Sequence, residues 1–197
     1  MTIRTMQKYF YAFSALFFII CYSCKKDYVP KPRGYFRISF QEKIYHKLDS
    51  VGLPYNFEIP VYSKIVPDHD RLAENYWINL KIPAHKAEVN ISYKTVKNNL
   101  EQLMLDSYKL AHKHDVKADA INERVFVNPE KKVYGTIYMI EGNTASPLQF
   151  YLTDSTHYFL RGALYFREVP NIDSLRPVID YIRPDIIHLI ETTEWTR

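Results

Sequence analysis

Cysteine is almost missing from this chain. Its 2 cysteines, Cys21 and Cys24, both lie near the N-terminus. The body beyond them can form no internal disulfide and no thiolate metal site. Glycine is scarce as well, at 5 residues, which argues against flexible loops as the organising feature. No Gly-x-Ser-x-Gly, no His-Glu-x-x-His and no phosphate loop occurs, so the common hydrolase and nucleotide-binding signatures are absent. Strong charge is lacking too. The formal net charge is +4, and two of the cations, Arg4 and Lys8, precede the first apolar run; without them it falls to +2. A domain this close to neutrality has no electrostatic footprint for nucleic acid. Internal repeats and low-complexity tracts are also missing.

Aromatic residues are plentiful, with 17 Tyr and 11 Phe, and they favour strands with large amphipathic faces. The clearest stretch is Gly142 to Phe166. Leu148, Phe150 and Leu152 alternate with Gln149, Tyr151 and Thr153. Beyond Asp154-Ser155, Tyr158, Leu160, Gly162, Leu164 and Phe166 alternate with Phe159, Arg161, Ala163, Tyr165 and Arg167. Period-two patterning on both sides of an Asp-Ser corner predicts a hairpin at the centre of an antiparallel sheet.

The N-terminus has a different logic. After Arg4 and Lys8, Tyr9 to Tyr22 is a nearly unbroken apolar run of 14 residues, where a membrane span needs about 20. A basic start and a short apolar core have the form of a secretory signal. Ser23 then precedes Cys24, and Lys25-Lys26-Asp27 follow. This resembles a bacterial lipoprotein signal, which implies cleavage before Cys24 and lipid attachment to it. Cys21 departs from the Leu or Val usual at that position. The alternatives are an uncleaved short anchor and a Cys-x-x-Cys redox or zinc motif, whose usual strand-to-helix setting is missing here. The expected organisation is a signal peptide over 1–23, a lipid-anchored stalk over 24–34 stiffened by Pro30 and Pro32, and one domain over 35–197.

Within that domain, strands are expected at Tyr35–Phe40, at Phe57–Ile65 with a break or edge at Pro60, and as a hairpin of Tyr76–Ile82 with Glu88–Lys94. Glu42–Ser50 reads as one or two helical turns. Leu100, Leu103, Met104, Tyr108 and Ala111 keep helical spacing over 98–114, with Asn98 and Glu101 as a capping-box variant. Strands at 124–128 and 133–141 follow, with Gly135 and Gly162 marking bulges or close backbone approach. Leu175, Val178, Ile179, Ile182, Ile186, Leu189 and Ile190 share one face of a last helix that runs through Pro184. From Tyr76 onward the order is strand, strand, helix, four strands, helix. The predicted class is therefore α+β: an antiparallel sheet with two covering helices, and the Mog1/PsbP-like sandwiches are the best architectural analogy.

Few residues suggest chemistry. Asp68-His69-Asp70 reads as a solvated turn rather than a metal corner, and His112 and His114 are two apart, on different sides of a helix. Asp154, Ser155 and His157 invite comparison with a catalytic relay, but alternation along a hairpin argues against one. Three residues stand as candidate interaction positions: Arg161, a charge in the strongest strand that either pairs locally or meets a partner; Asp154, at the corner; and Asp119, beside Lys117. No metal site and no cofactor is expected.

The segments SCKKDYVPKPRGYFRI, ISYKTVKNNL, HDVKADAI, KVYGTIY and above all GNTASPLQFYLTDSTHYFLRGALYF resemble the gliding-motility lipoprotein GldD family of Bacteroidetes. The resemblance spans Cys24 to Trp195. It implies a non-enzymatic envelope lipoprotein of the gliding apparatus, linked to type IX secretion, acting in assembly or stabilisation. It also implies a membrane held through the lipid on Cys24, other gliding or secretion proteins as partners, and the outer membrane as the place. A ligand- or glycan-binding lipoprotein module is the alternative, because tyrosines lining a groove stack and hydrogen-bond well.

Overall fold

The computed structural model describes residues 38–48, 52–113, 117–167 and 171–196. Cys21, Cys24 and the expected signal and stalk lie outside them, as do His114 and residues 35–37 of the strand expected at 35–40, whose described half, 38–40, is not strand. In chain order the elements are β1 (Tyr45–Lys47), β2 (Tyr55–Asn56), β3 (Glu58–Pro60), β4 (Lys64–Pro67), β5 (Ile78–Ile82), β6 (Ala87–Thr95), α1 (Leu100–His112), β7 (Ala118–Asn128), β8 (Val133–Gly142), β9 (Leu148–Thr153), β10 (Tyr158–Phe166), α2 (Ile172–Thr192) and β11 (Glu194–Trp195).

A 7-stranded sheet runs in the order β4-β5-β6-β10-β9-β8-β7, and every neighbouring pair is antiparallel. The β9–β10 hairpin expected from the alternation sits at its middle. Leu160 faces Leu152, and Gly162 faces Phe150. The missing side chain at Gly162 makes room for that ring, since a Cβ there would come within 2.3 Å of the Phe150 Cε1 and Cζ atoms. Gly135 is closer still to its neighbour, where a Cβ would lie 2.0 Å from the Tyr151 carbonyl oxygen. Gly135 thus marks the close backbone approach expected of it, whereas Gly162 makes room for a side chain.

Each sheet face has its own core. On one face Leu148, Phe150, Leu152, Leu160 and Leu164 pack with Ile78, Leu80, Ile82, Val89 and Ile91, and α2 adds Val178, Ile182, Ile186, Leu189 and Ile190. On the other, Tyr138, Ile140, Tyr151 and Phe159 pack against Ala111, Leu100 and Leu103 of α1. The chain is thus α+β with two helices covering one antiparallel sheet. The apolar phase of α2 continues through Pro177 and Pro184 as one element. Its start is held by Asn143, whose Oδ1 accepts the Ile172 N–H at 2.7 Å.

Two further local expectations fail, each for a physical reason. Glu42–Ser50 forms no helix among its described residues; Tyr45–Lys47 pairs instead with Glu58–Pro60, a non-local ladder that overrides local propensity. The break expected at Pro60 within 57–65 is present by contrast: one strand ends there and the next begins at Lys64. Asn98 has φ 56, in the left-handed region, so it cannot cap α1. Asn99 is the N-cap, and its side chain accepts the Lys97 N–H at 2.7 Å rather than a helical one.

Candidate functional site

The hairpin positions two of the expected residues. Asp154 closes the β9–β10 connection. Its Oδ1 accepts the backbone N–H groups of Thr156 (3.0 Å), His157 (2.7 Å) and Tyr158 (2.8 Å), and its Oδ2 accepts the Thr156 hydroxyl at 2.9 Å. Burial alone would raise the Asp154 pKa, but these donors outweigh it and hold the carboxyl at about 2. His157 does reach the carboxylate, with Nδ1 3.3 Å from Oδ2, contrary to the alternation argument, because residues 154–157 form a loop rather than strand. Ser155 takes no part in that contact; its N–H donates to the Thr153 hydroxyl at 2.9 Å, and no relay connects the three.

Arg161 points to the α1 side of the sheet. Its Nη2 donates to Gln149 Oε1 at 2.5 Å, and its side chain bonds the Tyr165 hydroxyl. No carboxylate pairs with it among the described residues. The local ion pair weighed at this position is therefore replaced by two neutral partners. Burial lowers the Arg161 pKa, and Tyr165 and Tyr138 partly offset that.

Beside Arg161, α1 leaves part of the sheet uncovered. A half-open cavity of about 340 Å³ lies there, walled by Leu103 and Leu110 of α1, by Phe159 and Arg161 of β10, and by Ser92 and Trp77. Asp68, Asp106 and Lys94 also line it. Lys94 already pairs with Glu74, and Trp77 Nε1 donates to the Tyr93 carbonyl at 2.9 Å.

Asp119 lies elsewhere, exposed where β7 shifts register against β8 between Ala118 and Ala120. Gly142, the ladder partner of Ala118, has φ 99, and a Cβ there would come within 2.8 Å of the Asp119 nitrogen. Asp68 and Asp70 spend side-chain oxygens on their own turn, accepting the N–H groups of Asp70 and Leu72 at 3.0 and 2.9 Å. His112 pairs with Glu123 at 3.0 Å.

A second polar cluster escaped the sequence reading. Asp185, 3 % exposed, accepts Lys43 Nζ at 2.6 Å and the Tyr45 hydroxyl at 2.7 Å through Oδ1, and the Tyr62 hydroxyl through Oδ2. Lys43 also donates to the Tyr181 carbonyl at 2.6 Å. Burial first, and then the bonded carboxylate, pushes the Tyr62 and Tyr45 hydroxyls far above their ordinary pKa. The signal was present: an acid stands inside the apolar stripe of a helix. Only the fold supplies its partners. Next to it, His188 Nε2 meets Glu58 at 2.7 Å and its ring stacks on Tyr45 at 3.9 Å. These contacts tie the residues before β4 to α2.

The family model described as gliding motility lipoprotein GldD matches residues 25–195. No curated protein matches the chain. Among solved structures, the solution structure of cyanobacterial PsbP (CyanoP) from Synechocystis sp. PCC 6803 is similar, with a TM-score of 0.52 at 10% identity, covering 84% of this chain and 99% of that one. At that identity the likeness concerns the fold alone.

Proposed function

This chain belongs to the gliding motility lipoprotein GldD family, and from that membership we propose that it is a non-enzymatic envelope lipoprotein of the gliding apparatus, linked to type IX secretion, which helps assemble or stabilise that machinery. Membership of a lipoprotein family indicates lipid anchoring in the envelope, and among the described residues no helix is long and apolar enough to cross a membrane. In this reading 1–23 is the signal peptide, Cys24 carries the lipid, 24–34 is the stalk and 35–197 is the working domain at the outer membrane. The observation that carries it is the family match over 25–195, which begins immediately after Cys24. Its partners are other gliding and secretion proteins. Asp119 stands exposed at a register shift, where a partner can meet it, whereas Asp154 contributes by holding the hairpin end.

Deleting the gene and restoring it on a plasmid tests this reading. We expect the deletion to abolish gliding, to impair secretion and to lower the steady-state level of other envelope components of the machinery. Cells that glide and secrete normally without the protein would overturn it. The alternative, a ligand-binding module, is favoured by the cavity beside Arg161.

A further inference from the structure

The geometry points to a binding site in the cavity between α1 and the β6–β10 part of the sheet: it takes a compact apolar body bearing one carboxylate, and Arg161 receives the carboxylate. Three observations converge. Arg161 lines a half-open cavity of about 340 Å³, within the usual range for small-ligand sites. Among the described residues its guanidinium is bonded only to neutral partners, Gln149 and Tyr165. A half-buried cation with no anion beside it is an unfavourable arrangement, and a bidentate carboxylate is the group that matches its fork. Gln149, 1 % exposed and joined to Arg161 through its oxygen, has an Nε2 with no hydrogen-bond partner among the described residues. An unused donor therefore adjoins the cation.

The walls define the rest of the ligand. Leu103, Leu110, Phe159 and Trp77 offer apolar and aromatic surface. Asp68 and Asp106 also line the cavity, so a second negative charge on the ligand is disfavoured. A small organic acid and the C-terminal residue of a peptide both present this chemistry, a carboxylate beside a hydrophobic group. The proposal goes beyond the family role and does not depend on it.

The test is calorimetric titration of the full-length protein, reconstituted in lipid nanodiscs, with 3-phenylpropanoate. The uncharged 3-phenylpropanol is the control, and an acetylated Gly-Gly-Phe peptide is titrated as free acid and as amide. We expect the acid to bind and the alcohol not to. Arg161→Gln should weaken binding by about tenfold or more, the size of one charge-assisted pair. Leu110→Glu, at a position already 36 % exposed and so compatible with folding, should weaken it through repulsion at the wall. Tighter binding of the peptide acid than of 3-phenylpropanoate identifies a chain terminus as the source, and the reverse identifies a free acid. Equal binding of acid and alcohol, no binding of any probe, or full affinity in a folded Arg161→Gln protein would overturn the proposal. If Arg161→Gln does not fold, unchanged affinity in Leu110→Glu overturns it equally.

Discussion

Asp185 and Asp154 show two uses of a carboxylate in one chain. Asp185 is buried and accepts from Lys43, Tyr45 and Tyr62, so removing it strands three donors at once. Asp185→Ala should cost about 2–4 kcal/mol in urea unfolding, while Asp180→Ala, exposed on the same helix, should cost little. Asp154 sits in a loop, and its folded pKa of about 2 lies below the usual 3.8. A depressed carboxyl stabilises the fold above its unfolded pKa, and that contribution disappears as pH falls through the folded one. Stability of the wild type should therefore drop between about pH 4 and pH 2 more steeply than that of Asp154→Asn, as followed by thermal melts. Equal acid slopes would contradict the turn assignment. Asp154 was legible as turn chemistry from Asp-Ser alone. Asp185 was visible only as an oddity, because its donors lie some 120 to 140 residues away.

At the scale of elements, the β8–β9–β10 strands depend on glycines that admit a neighbour. A methyl group at Gly135 meets backbone, the Tyr151 carbonyl, whereas one at Gly162 meets the Phe150 ring. A ring can rotate and a strand cannot. Gly135→Ala should therefore destabilise by roughly 1–3 kcal/mol and Gly162→Ala by less, read from urea midpoints at constant m. Ile182, fully buried on α2, should cost about 2–5 kcal/mol on replacement by alanine. The strands with clean alternation, β5, β6, β9 and β10, and the two helices were legible, because periodicity reports a buried face directly. β1 and the capping of α1 were not. The first exists only through pairing with β3, and the second turned on a backbone angle at Asn98 that composition does not encode.

For the whole molecule, the layered class followed from element order, but the strand order did not. β6 joins β10 across α1 and the whole β7–β8–β9 excursion, and that non-local pairing brings Trp77, Ser92 and Arg161 to one cavity. No local pattern signals such a meeting, so Arg161 could be singled out and its surroundings could not. The same scale carries the functional account, in which a folded sandwich is held in the envelope beside its partners by a lipid on Cys24. Attachment is tested most directly by feeding cells an alkyne-tagged palmitate and isolating the protein in its wild-type and Cys24→Ser forms. The account predicts label on the wild type, none on Cys24→Ser, and release of the variant from the membrane fraction. Label that survives the substitution, or a wild-type protein that never acquires it, would contradict the account.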